Sequence, residues 1–344
     1  MPGAVSPLDD RGLRNRVTRI DRLVAHVRDL ERSVAFWEAV TPLRRAARTA
    51  SEPQDIPSLG IAGGRFDGWI LQEPVGGNPF GVHLVQWHAP APEGEPYEHP
   101  FRTGWYRIAV FVSDIDAAYR RVLDAGGEPF AAPALYAPYR GAPGTMVFGV
   151  PDPDGIAIQF VGRPGFPERI NHVAGSTRDV DATRPFYTDL LGLDFFARTT
   201  SHPVPNTVGP GGGSSAYDVN WFRVRGDERF AIDHVEWLPH GTFGEPYDFF
   251  AHPTHVGFVR LSLEVDDIDA AHAYLAEWAH TPAARGCRVS GAPEEWDFGD
   301  VLGRRRVILL TDPDGVGFEL IQQAPFPTAS ETRHPFIGEP VGSA

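Results

Sequence analysis

Apolar and polar residues alternate along short stretches of this chain, and each such stretch runs through an aspartate into a helix-period pattern. Four segments share the frame: "RLVAHVRDLERSVAFW" from Arg22, "RIAVFVSDIDAAYRRVL" from Arg107, "HVAGSTRDVDATRPFY" from His172 and "RLSLEVDDIDAAHAYL" from Arg260. Alternation predicts a strand with one face buried. The aspartate predicts a helix N-cap, because its carboxylate accepts from the unpaired N–H groups of the first turn. Two segments, "VPDPDGIAIQF" at 150–160 and "TDPDGVGFELI" at 311–321, predict a tight Asp-Pro-Asp-Gly turn leading into a final strand. Two further strands match each other, "GVHLVQWHAP" at 81–90 and "AIDHVEWLPH" at 231–240, and each is followed by "GEPY".

The repeats keep register. His172 lies 150 residues after Arg22, and Glu236 lies 150 after Gln86. The pattern is a tandem duplication of a domain that is itself two similar units. The expected domains are 17–162 and 169–323, joined by "GRPGFPE" (162–168) and followed by a Pro-rich tail at 324–344. "GPGGGSS" at 209–215 lacks the Gly-Lys-Ser/Thr ending of a phosphate loop and is expected to be an ordinary loop.

Composition narrows the function class. The chain has 344 residues, 42% hydrophobic and 22% charged, which suits a globular protein of two domains. A net charge of −14 disfavours a phosphate backbone as partner, so nucleic acid is not expected. The single Cys287 excludes internal disulfides and thiolate metal clusters and fits a reducing compartment. The first residues hold no apolar signal segment, and no run of 18 apolar residues occurs, so a cytoplasmic protein without a membrane partner is expected.

Four βαβββ units with Asp-led helices and DPDG turns resemble the vicinal oxygen chelate superfamily, which includes glyoxalase I, extradiol dioxygenases, methylmalonyl-CoA epimerase and bleomycin-resistance proteins. The resemblance runs from Val17 to Gln322. It implies an α+β fold of tandem glyoxalase-like domains, the four units forming two cup-shaped sheets. It also implies two metal-ligand places per unit, one at the start of the first strand and one in the last strand. These places read Arg22 and Gln86, Arg107 and Gln159, His172 and Glu236, Arg260 and Glu319. On this alignment the first domain is degenerate, and the second binds one metal through His172, Glu236 and Glu319.

Strand alternation places His234 beside Glu236, and sets Arg260, Ser262 and Glu264 on one face with Leu261, Leu263 and Val265 behind. One imidazole and two carboxylates suit a divalent Lewis acid: Zn²⁺ first, with Mn²⁺, Ni²⁺, Co²⁺ or Fe²⁺ as other candidates. The implied reaction is that of a metal-dependent isomerase or epimerase. It moves a proton next to the carbonyl of a chelating hydroxyketone, and the tandem-domain epimerases of 2-epi-5-epi-valiolone are similar in length and layout. Glu236, Glu319 and His234 are then candidate bases, and Arg260 is a candidate clamp for substrate. Two alternatives stay open: an extradiol- or hydroxyphenylpyruvate-type dioxygenase, and a metal-free antibiotic-binding protein. The expected partner is a small carbonyl compound, and the resemblance leaves a homodimer open.

Overall fold

In a computed structural model, residue 13 and residues 17–322 are described, apart from 74–79, 97–98, 139–142, 206, 208–213, 239–243 and 245–247. Most of the Gly-rich loop and the Pro-rich tail therefore lie outside the described residues. The first unit contains β1 (Val17–His26), α1 (Leu30–Val40), β2 (Arg44–Ala50), β3 (Gln54–Ile56), β4 (Ile61–Gln72) and β5 (Gly81–Ala89). The second contains β6 (Gly104–Val112), α2 (Ile115–Asp124), β7 (Ala134–Tyr136), β8 (Thr145–Pro151) and β9 (Ala157–Gly162). The third contains β10 (Arg169–Ser176), α3 (Val180–Pro185), β11 (Asp194–Thr200), β12 (Val204–Pro205), β13 (Ser214–Arg223) and β14 (Ala231–Leu238). The fourth contains β15 (Gly257–Val265), α4 (Ile268–Trp278), β16 (Glu294–Asp297), β17 (Arg304–Thr311) and β18 (Gly317–Gln322).

Each helix starts where its aspartate predicts. Asp29, Asp114, Asp179 and Asp267 all adopt extended backbone at the N-cap and accept from N–H groups of the first turn. The third helix is short because Pro185 lies inside it; the chain continues as a wider π turn over Phe186–Leu190.

The sheets are not assembled from consecutive units. One has the order β16-β17-β18-β15-β1-β5-β4-β2, with β3 on β4, and so joins the first unit to the fourth. The other has the order β11-β13-β14-β10-β6-β9-β8-β7, with β12 on β13, and joins the second unit to the third. The seams are antiparallel: β1 lies along β15, and β6 lies along β10. Each cup therefore draws on both halves of the chain. That corrects the expectation of a cup closed within the second domain.

Consecutive units are held together through their turns and helices instead. In the second unit's DPDG turn, Asp152 accepts from the Trp37 indole at 2.9 Å, and Asp154 accepts from the Ser33 hydroxyl at 2.9 Å. In the fourth unit's turn, Asp312 accepts from Tyr187 Oη at 3.1 Å, and Asp314 accepts from the Thr177 hydroxyl at 2.6 Å. The motif that marks the repeat in sequence is thus a latch onto the preceding unit's helix or the residues flanking it. The largest apolar cluster draws residues from α1, α2, α4, the π turn after α3 and both sheets, including Val34, Val122, Leu275, Phe186, Leu84 and Val173.

Candidate functional site

Strand register shows which side chains share the inside of each cup. In every unit the first and last strands run parallel, and the last-strand residue that matters lies opposite the position two beyond the first-strand residue. Val24, two after Arg22, pairs with His83; Ala109, two after Arg107, pairs with Gln159. Ala174, two after His172, pairs with Asp233; Ser262, two after Arg260, pairs with Glu319. The inner pairs are therefore Arg22 and His83, Arg107 and Gln159, His172 and Asp233, Arg260 and Glu319. The second and fourth units agree with the alignment of the sequence. In the first and third units, Gln86 and Glu236 are replaced by His83 and Asp233, each three residues earlier.

An odd shift reverses the face of a strand. In β14, Asp233, Val235 and Trp237 face the cup, while Ile232 packs in the helix-side core. Glu236 points to the helix side and accepts from the Val180 N–H at 3.1 Å, a second cap for α3. Gln86 does the same for α1, accepting from Leu30 N–H at 2.9 Å. His234, with no exposed surface, lies on that side too, against the Tyr187 ring and 3.8 Å from Asp312. Neither Glu236 nor His234 can touch a ligand in the cup, which corrects their assignment as metal ligand and base.

The first-and-fourth cup is filled. Its interior holds Val24, Ile56, Phe66, Val85, Trp87, Trp296 and Phe298 as a packed cluster. At its floor Glu319 is fully buried; Arg260 Nε donates to it at 2.7 Å, Ser262 at 2.9 Å, and Arg22 lies at 3.4 Å. Burial raises the Glu319 carboxyl, but Arg260 and then Arg22 outweigh it and hold it below its usual range. Arg260, expected to hold substrate, clamps this carboxylate instead and stacks on Trp296. The lip is closed by β3 and β16: Gln54 Nε2 donates to the Asp297 carbonyl at 2.9 Å, and Ser58 donates to Glu294 through both N–H and hydroxyl at 2.7 Å.

The second-and-third cup is open. It encloses a cavity of about 280 Å³, walled by Tyr106, Phe111, Tyr136, Tyr217, Trp221 and Trp237. At its polar end Arg107 Nη2 donates to Asp233 Oδ2 at 2.7 Å, Nε to Gln159 at 3.0 Å and Nη1 to Tyr106 Oη at 2.7 Å. His172 Nε2 stands 3.5 Å from Asp233 Oδ2, and its ring meets Trp221 edge to face at 5.3 Å. Asp233 Oδ1 and His172 Nε2 are both buried without a hydrogen-bond partner among the described residues. Buried polar atoms are rarely left so, and two facing one cavity mark where a ligand would bond. Burial, with Arg107 as a smaller cause, pulls His172 well below its usual range, so the ring is neutral. Burial outweighs Arg107 at Asp233 and pushes its carboxyl up to about 6.

The three expected metal ligands do not meet. His172 belongs to this cup, Glu319 to the other, and Glu236 to the back of the sheet. Among the described residues no group of three or more His, Cys, Asp or Glu side chains is placed to hold an ion. Arg107 and Gln159 fill two of the open cup's four places, and a guanidinium cannot ligate. It also occupies Asp233 Oδ2. The donor set does not fit a divalent metal.

The chain belongs to the Glyoxalase/Bleomycin resistance protein/Dioxygenase superfamily, which it matches over residues 19–160 and 169–320. It is similar in structure to glyoxalase I from Zea mays, with a TM-score of 0.60 and 15% identity over 88% of this chain and 92% of that one. It is also similar to a putative dioxygenase from Bacillus subtilis subsp. subtilis str. 168, with a TM-score of 0.50 and 14% identity over 90% of this chain and 86% of that one. At such identities the likeness is one of fold. No curated protein matches the chain in sequence. No helix among the described residues is long and apolar enough to cross a membrane.

Asp233 and Tyr106 escaped the sequence reading. One signal could have found Asp233: Gln159 and Glu319 both lie four residues after a DPDG glycine, which fixes their place in the strand. The first and third units lack that turn, and the matching "VQW" and "VEW" drew the alignment to Gln86 and Glu236.

Proposed function

We propose that the open cup binds a small carbonyl compound against its aromatic walls and moves a proton on the carbon beside the carbonyl. Arg107 would supply the positive charge that the expected metal was to provide. One observation supports this most: Arg107, Asp233 and His172 converge at the end of one aromatic-walled cavity, and two of them carry unpartnered polar atoms. Arginine has five N–H donors. Three are engaged by Asp233, Gln159 and Tyr106, which leaves two for a ligand oxygen.

In the proposed step, Asp233 Oδ1 takes the proton as the C–H bond breaks. The electron pair moves to the carbonyl oxygen, where the guanidinium stabilises the enolate. Returning the proton to the other face gives epimerisation; returning it to the former carbonyl carbon of an α-hydroxyketone, while the hydroxyl proton passes to the former carbonyl oxygen, gives isomerisation. A carboxyl whose pKa is near 6 suits this work, because it is ionised at neutral pH yet remains a better base than an ordinary carboxylate. The six aromatic side chains fit a flat ligand better than a cyclitol. A dioxygenase draws no support from a donor set with arginine and glutamine at two of four places.

The test is solvent exchange. In D₂O with 2-hydroxyacetophenone, the protein should accelerate deuterium entry at the carbon beside the carbonyl, and Asp233→Asn should reduce the rate to that of buffer. Saturable binding of this ketone with no exchange above buffer would reject catalysis. It would favour the second reading, a pure binder, which the mainly aromatic lining also suits.

A further inference from the structure

We propose that the natural ligand of the open cup is an anion, a carboxylate carried on an aromatic carbonyl compound, and that Arg163 at the cavity wall holds it. The proposal rests on the reading of this cup as the site and names the class of molecule that enters it. Arg163 lies in the stretch "GRPGFPE", which the sequence marks only as a linker, yet its side chain lines the cavity.

The stretch is built to present that side chain. Residues 163 to 166 form a tight turn closed by the Phe166 N–H donating to the Arg163 carbonyl at 3.1 Å. Pro164 and Gly165 occupy its central positions, and Gly165 has φ of +84°, as a type II turn requires. The Arg163 N–H is fixed to the Val112 carbonyl at 2.7 Å. The guanidinium lies over the Phe111 ring at 5.1 Å and the Phe166 ring at 5.2 Å, and Arg169 lies over Phe111 at 5.7 Å. Stacking holds a guanidinium by its faces and leaves its in-plane N–H groups available.

Arg163 makes no ion pair among the described residues. By contrast, Arg178, Arg184 and Arg198 on the surface of the third unit are each paired with an aspartate. Among the described residues, the charged ones lining the cavity are Arg107, Arg163 and Asp233, an excess of one positive charge in a chain whose net charge is −14. A cavity of that sign in so acidic a protein selects an anion. Arg107 is committed to Asp233 and the carbonyl oxygen, so Arg163 is the cation left for the carboxylate. Bidentate geometry suits that group.

The experiment compares two probes of equal shape, 4-acetylbenzoate and 4-acetylbenzamide, by calorimetric titration of the full chain at low salt. Wild type should bind the carboxylate on the order of tenfold more tightly than the amide, because the added bonds are charge-assisted but partly solvated. Arg163→Met keeps the apolar stem over the two rings; it should cut the preference to within about twofold, by weakening the carboxylate much more than the amide. Equal binding of the two probes by wild type, a preference that survives in Arg163→Met, or no binding of the carboxylate would each overturn the proposal. Deuterium exchange into the acetyl methyl group is read separately. Charge preference without exchange would reject the proton-transfer reading and keep the anion site, whereas exchange without charge preference would do the reverse.

Discussion

Changing Glu319 to Gln separates the role the structure gives this residue from the role its place in the family frame suggests. The substitution preserves shape and an oxygen for Ser262, and removes one buried negative charge. Arg22 keeps Asp21, with which it forms a close ion pair, whereas Arg260 loses its sole ion-pair partner among the described residues. Stranding one member of a buried pair costs about 3–5 kcal/mol, most of it the charge left without compensation. With a urea dependence near 3 kcal/mol per molar, the unfolding midpoint should fall by roughly 1 to 1.7 M. The sign of the pH effect is fixed as well. The folded carboxyl is held below its unfolded value, so its contribution is present above about pH 4.5 and lost as pH falls; the variant should lack that component. Adding Arg260→Met should restore most of the loss, since the stranded charge is then gone. Ligand binding and exchange in the other cup should stay within about twofold of wild type. A midpoint shift below about 0.3 M, or the disappearance of a bound metal ion from the variant, would refute this account.

Exchange catalysed by wild type should rise as pH passes through about 6, where Asp233 ionises, and then level off; a profile flat from pH 5 to 8 would exclude it as the base. Arg107→Lys keeps the charge but not the forked geometry, and should lower kcat by roughly 10²-fold while leaving affinity for a neutral ketone within a few-fold, as measured by steady-state kinetics. Asp312 is fully buried, and burial with Asp314 pushes its carboxyl up to about 7, so folding favours the protonated form and stability should fall as pH rises from about 4 to about 7. Asp312→Asn should lack that decline in thermal melts, and a variant that retains it would show that the decline arises elsewhere.

Local structure was legible in the sequence because its causes are local. Asp29, Asp114, Asp179 and Asp267 cap helices through bonds to neighbours within three residues, and alternation in "RLSLEV" correctly separates Arg260, Ser262 and Glu264 from the core-facing Leu261, Leu263 and Val265. What could not be read was association between units. All four first strands have the same pattern, so nothing in the apolar and polar order tells β1 to lie along β15 rather than β6. The choice rests on latches such as Trp37 to Asp152 and on the matched seam residues, both of which are tertiary. The site suffered from a second ambiguity. In "IDHVEW" each face holds one acidic and at least one apolar residue, so alternation alone does not say whether Asp233 or Glu236 looks inward. The charge at Arg163 was hidden differently, because a turn rich in Pro and Gly advertises only its backbone.

The seam between β1 and β15 also sets the order in which this chain can fold. Thr18 bonds Glu264 across 246 residues, whereas the other seam joins Phe111 to Arg169. At a synthesis rate of about 5–20 residues per second, β1 waits some 12 to 50 seconds on the ribosome for its neighbour. The inner sheet can close during that interval, while the outer one leaves an edge rich in Leu, Val and Ala unpaired. Halves made as separate polypeptides would each carry that hazard permanently and could relieve it only by finding one another. A mixture of the two halves should therefore recover the open cup, and either half alone should aggregate.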